Sequence, residues 1–500
     1  MTIPAFVRPT RLFGVVAVLA AVVALAAASG AVANVPVTSV STDPFTNPDS
    51  QHATEVEPDT FASGQTVLAT FQVGRFFNGG ASDIGWARST DGGATWGVSS
   101  FLPGLTSNAG PFGDPDSQFT RVSDPVVAFD AKHNTWMISS IPLLPNTDVP
   151  TIFVSRSTNG GATFQDPPSQ IPPPAAKKIN LDKNWTVCDN HRGSPFFGNC
   201  YTEFDNFGEG DLEYMSTSKD GGKTWSTPVS PAGNPHGLGG QPVVQPNGTV
   251  IVPFESLKGT IGAFRSTDGG ATWSKEFVVS KIRFHPNSGG LRTSPLPSAE
   301  IDGAGNVYVA WEDCGFESHC SANDIVFSSS SDGMNWSAVK RIPIDPVGSG
   351  VDHFIPGLAV DPATSGSGAH LALTYYFYPD AACTPDTCQL KVGYTSSPDG
   401  GAHWSAPTQL AGPMSLHDIA ATSQGPMVGD YISTSFNASG TAATVFAIGK
   451  RHTGTVFDEG MWAPSTPLSV ASGAQATRAA GGGQPSGPGV GEAQHAVRND

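Results

Sequence analysis

Ser266-Thr-Asp-Gly-Gly-Ala-Thr-Trp273 is one of six near-copies of a single phrase, and its recurrence decides the architecture. The others are Ser89-Thr-Asp-Gly-Gly-Ala-Thr-Trp96, Ser157-Thr-Asn-Gly-Gly-Ala-Thr-Phe164, Ser218-Lys-Asp-Gly-Gly-Lys-Thr-Trp225, Ser330-Ser-Asp-Gly-Met-Asn-Trp336 and Ser397-Pro-Asp-Gly-Gly-Ala-His-Trp404. Their closing aromatics stand 68, 61, 48, 63 and 68 residues apart, which signals a repeat architecture. A strand-like run precedes each copy, as in Ile84-Gly-Trp-Ala-Arg-Ser89 and Ile261-Gly-Ala-Phe-Arg-Ser266. Asp-Gly-Gly then makes the turn: glycine takes positive φ at no steric cost, and the carboxylate accepts from nearby backbone N–H groups. Thr-Trp opens the partner strand, so each phrase is a β-hairpin.

A second strand–turn–strand element precedes each phrase, starting at Glu57-Pro58, Asp124-Pro125, Asp182-Lys183, Gln241-Pro242, Pro297, Pro356 and Asp430-Tyr431. Seven such halves against six phrases predict an all-β fold: a β-propeller of four-stranded antiparallel blades, seven favoured and six the alternative. The seventh unit, from Gly429 to about Pro467, lacks the phrase, and its outer strand is expected from Val35–Val40. The expected organisation is a signal peptide at 1–33, the propeller at 34–468 and a disordered Ala/Gly-rich tail at 469–500.

The six phrases resemble the Asp-box, or bacterial neuraminidase repeat (BNR), of the sialidase superfamily. Asn159 replaces Asp in the second, the fifth is one residue short, and His403 replaces Thr in the sixth. Asp182-Lys-Asn-Trp185, Phe354-Ile-Pro356 and Gly429-Asp-Tyr431 are similar to blade starts of secreted bacterial repeat proteins of that superfamily. The resemblance implies a sialidase-like glycosidase on a propeller in which the boxes are structural turns. Sialidases also carry an Arg-Ile-Pro before the first box. Here the motif occurs only at Arg341-Ile-Pro343, after the fifth box, so sialic acid specificity is not implied.

Charged residues make up only 14% of the 500, with Gly 58 and Pro 42, a turn-rich β composition. A net charge of −17 argues against nucleic acid or anionic membrane partners. It permits a structural Ca²⁺, and no organic cofactor is implied. Arg8 and Arg11, the apolar run Leu12–Ala28 and Ala31-Val-Ala33 describe a secretory signal, with an uncleaved anchor as the alternative. The six cysteines fall into three local pairs: Cys188 with Cys200, Cys314 with Cys320, and Cys383 with Cys388. Export makes disulfides the simplest use of these pairs, although six cysteines allow 15 connectivities. A secreted monomer acting on carbohydrate or glycoconjugate is the expectation.

Strand polarity places a site. Strands alternate in direction, so the boxes and the first-to-second-strand turns share one face, and the starts of the first strands surround the opposite mouth. Glycoside hydrolysis there needs an acid and a base or nucleophile, and sialidases use a tyrosine nucleophile. The catalytic candidates are Glu312, Asp182, Asp430 and Tyr431. Substrate-binding candidates are Arg292, Arg121, Arg75, Lys183, Glu255 and His353, the arginines for bidentate contact with a carboxylate. A non-catalytic propeller that binds glycan or protein at the same mouth is the alternative. A lyase is favoured only if Lys183, Arg292 and His353 cluster.

Overall fold

The computed structural model describes residues 34–471, 476–478 and 480–481. The expected signal peptide lies outside the described residues, as does most of the expected tail. Leu468–Ser469, Ala476–Arg478 and Ala480–Gly481 are short strands, the last two paired with His403–Ser405 and Lys340–Arg341. No helix among the described residues is long and apolar enough to cross a membrane.

The chain is all-β, and its antiparallel pairings fall into seven consecutive groups of strands, here termed a to d within each group. The first comprises Glu55–Ser63, Thr66–Arg75, Ala81–Ser89 and Ser100–Phe101. The second comprises Arg121–Asp130, Thr135–Leu143, Ile152–Ser157 and Ser169–Ile171. The third has Leu181–Cys188, Cys200–Asn206 and Leu212–Ser218, with Val229 bridging to Met215 in place of a d strand. The fourth has Val243–Val244, Val250–Ser256, Thr260–Ser266 and Phe277–Lys281. Ser298–Ile301, Val307–Asp313, Asp324–Ser330 and Lys340–Arg341 form the fifth. Asp352–Val360, Leu371–Tyr378, Gln389–Ser397 and Thr408–Ser415 form the sixth. Ser433–Phe436, Thr441–Gly449 and Glu459–Pro464 form the seventh, and its d strand is Val37–Ser39 from the N-terminal end of the described chain.

Successive a strands are stitched side by side. Asp59 Oδ2 accepts from Val127 N (2.7 Å), Ser298 Oγ from Leu358 N (3.0 Å), and Gly357 O from Thr434 Oγ1 (3.0 Å). The seventh group then meets the first, where Thr60 Oγ1 lies 3.0 Å from Ser433 Oγ and 2.9 Å from Ser435 Oγ. Each group is thus packed on both faces. This explains why b strands such as Val250-Ile-Val-Pro-Phe254 read as unbroken buried runs.

In all six repeated turns the Ser Oγ donates to the Asp or Asn side-chain oxygen at 2.8–3.1 Å and accepts from a glycine N–H. A further bond, between the Asp or Asn side chain and the residue before the closing aromatic, is kept at the variant positions. His403 Nδ1 lies 2.6 Å from Asp399 Oδ2, where Thr272 Oγ1 donates to Asp268 Oδ2 at 2.6 Å. These turns share a face with the a–b turns: Asn437 Nδ2 donates to Gly92 O (2.8 Å) and Gln245 Nε2 to Ser331 O (3.1 Å).

The cysteines pair locally, as expected from their spacing. Cys188 is bonded to Cys200 between the a and b strands of the third group. Cys314 is bonded to Cys320 in the loop after the fifth b strand, and Cys383 to Cys388 in the loop after the sixth b strand. None of the six is free.

Candidate functional site

The a strands do not run straight into the mouth. Glu57 (φ 55°), Asp124 (φ 48°), Lys183 (φ 50°) and Ile355 (φ 50°) adopt left-handed backbone, and each lies in a register shift of its a strand. A bulge of this kind re-aims one side chain out of the alternation, and non-glycine residues hold such a conformation at a cost of about 1–3 kcal/mol. Proline follows three of the four, where no ladder N–H is needed.

The re-aimed side chains converge. Lys183 Nζ bonds Asp430 Oδ2, lies 3.3 Å from Asp124 Oδ1 and 3.8 Å from Glu57 Oε1, and so joins groups three, seven, two and one. Arg292 Nη2 bonds the same Asp430 oxygen. Groups four to six instead present Gly239, Leu296 and Ile355, which line a small pocket together with Asp124, Lys183, Trp185, Asp430 and Tyr431. The mouth is therefore charged along one arc and apolar along the other.

Charge balance within the cluster is uneven. Burial opposes ionisation of Asp430, yet Arg292 and Lys183 overcome it and hold the carboxyl well below the usual range. Burial likewise opposes the Lys183 charge, but Asp430, Asp124 and Glu57 keep its pKa above the ordinary lysine value. Glu57 is pushed up to about 7 by burial and by Asp124, against the pull of Lys183. Gln72 Nε2 donates to Glu57 Oε2 and, at 2.9 Å, to Ser123 Oγ. A second pocket, of about 70 Å³, is lined by Glu57, Arg75, Asp124, Asp182 and Arg292 among others.

Of the residues expected at the mouth, Asp182, Asp430, Tyr431, Arg292, Arg75 and Lys183 line one of these two pockets. The Tyr431 hydroxyl donates to Pro125 O at 3.1 Å, and burial followed by Glu57 and Asp124 raises its pKa well above 10. That phenol is held protonated. Arg75 Nη1 lies 2.6 Å from Met427 Sδ. Arg121 stands at the rim, where it donates to Asn78 Oδ1 (2.8 Å) and stacks over Phe76.

Glu312, Glu255 and His353 line neither pocket. Glu312 is buried against the sixth group and accepts from Ile355 N at 3.2 Å; burial and then Asp352 raise its pKa well above 4.5. Glu255 is buried and pushed up to about 8 by desolvation alone. Both occupy b-strand ends, and Glu312 thereby contacts the sixth group. His353 packs on Tyr375 and Phe377, and burial lowers its pKa to about 4. With Asp324 and Asp345 it has the spacing of a metal site among the described residues. Arg341 already occupies that place, with Nη2 2.7 Å from Asp324 Oδ1 and 2.5 Å from Asp345 Oδ1. The guanidinium supplies the positive charge a metal ion would bring, so the cluster fits a structural ion network.

Glu57, Asp124 and Gln72 belong to the cluster although function-directed reasoning favoured other residues. The signal for the first two was the Glu57-Pro58 and Asp124-Pro125 pairs, a carboxylate before a ladder-breaking proline at equivalent places in successive repeats.

No family model matches the chain, and no curated protein matches its sequence. Among solved structures the chain is similar to a Hadza microbial sialidase, Hz136, with TM-score 0.41 and 14% identity over 88% of this chain and 68% of that one. Others are the NanB sialidase of Streptococcus pneumoniae (TM-score 0.43, 13% identity, 87% and 71% covered) and the α-L-arabinofuranosidase ARB93A of Fusarium graminearum (TM-score 0.41, 12% identity, 72% and 96% covered). At these scores none of them bears on what this chain's residues do.

Proposed function

We propose that the seven groups close as the blades of a propeller and that the chain is an exported, glycan-directed glycoside hydrolase of sialidase-like type. The observation that carries this reading is Glu57, a buried carboxyl with a pKa of about 7, lining one open pocket with Asp182, Arg75 and Arg292. A carboxyl that keeps its proton near neutrality is what a glycosidic leaving oxygen needs as general acid. Asp182 is the candidate to take a proton from attacking water, and the arginines are the candidates to hold substrate hydroxyls or a carboxylate. Tyr431, held protonated, stays out of the chemistry. Three disulfides fit an oxidising, extracellular setting.

The test is a panel of glycosides, sialosides included, with wild type and the Glu57→Gln and Asp182→Asn variants. Turnover that falls about 100-fold or more in each variant supports the assignment. Activity should decline as pH rises through about 7, because Glu57 then loses the proton it must donate.

A second reading, a glycan-binding propeller, is favoured by one feature: Lys183 and Arg292 are both engaged by Asp430, so these cations are already neutralised. Wild type that binds glycans without turning over any of the panel establishes it. The lyase reading loses its basis because His353 lies apart from Lys183 and Arg292.

A further inference from the structure

A larger cavity, of about 410 Å³, opens on the face of the repeated turns, opposite the mouth. Its lining draws on a strands and a–b turns from all seven groups, and Trp185 separates it from the inner mouth pocket. Phe61, Phe129, Trp185 and Phe436 supply aromatic walls. Among the described residues Glu300 is the one carboxylate in the lining, and no lysine or arginine lines it. Glu300 is partly accessible, and the space it reaches is this cavity.

We propose that this cavity binds a hydrophobic organic cation, an aryl- or alkylammonium whose charge rests at Glu300 and whose apolar part lies against Phe61, Phe129 and Trp185. Aromatic faces attract a cation through their quadrupole, and a carboxylate without a fixed counter-charge completes the match. A metal ion stripped of its water would find a single carboxylate here where it needs about six oxygen ligands. An anion would meet the Glu300 carboxyl and find no lysine or arginine in the described lining.

Other groups near Glu300 leave it available. Asp59 is buried and already accepts from Val127 N, Ser433 and Thr60, and no cation faces Glu300 among the described residues. His191, at the rim, uses Nε2 on Val244 O at 2.9 Å. Burial, then Asp59, raises Glu300 to about 8, so at pH 7 it holds a proton that an arriving cation displaces.

The experiment titrates benzyltrimethylammonium, benzyl alcohol and phenylacetate into the full chain by calorimetry at pH 7, in two buffers of different ionisation enthalpy. We expect the cation to bind at least tenfold more tightly than either analogue and to release a fraction of a proton. Glu300→Gln should lose at least tenfold in cation affinity and all of the proton release, with turnover at the opposite mouth unchanged. The comparison of the three ligands on wild type stands even if that variant folds poorly. Equal binding of benzyl alcohol, no binding of the cation at millimolar concentration, or unchanged affinity in a folded Glu300→Gln variant would overturn the proposal.

Discussion

Lys183 is the residue on which the mouth turns. It is the only lysine lining either mouth pocket, and three carboxylates from three other groups face it. Removing one member of a buried ionic cluster leaves the others uncompensated, which typically costs about 3–5 kcal/mol. Lys183→Met should therefore destabilise the chain in urea by that amount, whereas Lys340→Met, at a half-buried position on a d strand, should change stability little. Equal effects of the two substitutions would mean that the cluster contributes no special stability. None of this was visible in Asp182-Lys-Asn-Trp185 alone. The residue types were legible, but the positive φ that turns Lys183 toward Asp430, 247 positions away, belongs to the bulge.

At the scale of the element, the repeated turn was almost fully legible. Five Ser-x-Asp turns and one Ser-x-Asn turn share the serine bonds, and even the departures obey the rule: Asn335 Nδ2 donates to Asp332 Oδ2 at 2.7 Å in the shortened copy. Asp268→Ala removes the bonds from Thr272 N (2.9 Å) and Thr272 Oγ1 (2.6 Å), and should cost about 1–2 kcal/mol in chemical denaturation. His403→Thr should be nearly neutral, because threonine restores the commoner version of the same bond. The Cys188–Cys200 staple joins the third a and b strands across a sequence separation of 12, and its removal should cost about 3 kcal/mol by loop entropy. Less legible were the b-strand ends. Glu312 and Glu255 carry the chemistry expected of a site, but both are buried away from the two mouth pockets, Glu312 against Ile355 N of the sixth group.

For the molecule as a whole, the junction between chain ends and the sum of its buried acids set the behaviour. Val37–Ser39 completes the seventh group by pairing with Trp462–Pro464. Deleting residues 34–41 should expose that edge and lower the melting temperature by several degrees, as removal of buried Val40 alone implies. Retention of the wild-type melting temperature would show that the strand closes nothing.

Buried carboxyls dominate the pH response. Glu57, Asp59, Glu213 and Asp352 are raised to about 7, and Glu55, Glu255, Glu300 and Glu459 to about 8, in every case chiefly by burial. The folded state thus keeps protons that the unfolded chain, titrating near 3.8–4.5, has given up. Stability must fall as pH rises from about 4.5 to 8. Asp430 and the turn carboxylates, held below their ordinary values, act oppositely and lose their contribution as pH drops below about 3.8. The melting temperature should peak in mildly acid solution, and a flat profile between pH 5 and 8 would contradict this assignment.

The sequence by itself determined the repeating hairpins and the seven strand–turn–strand halves; it left the cysteine connectivity open and pointed to the face on which a mouth was expected. The hairpins and halves depend on local rules: which residues tolerate a turn, which alternate, and how far apart copies recur. Only the tertiary structure decided which side chains meet at that mouth. Their convergence depends on bulges in four separate groups and on desolvation, neither of which is a property of any short stretch of chain. The phrase ending at Trp273 identifies a repeated hairpin, while Glu57, Asp124, Lys183 and Asp430 acquire their charges and their meaning from one another.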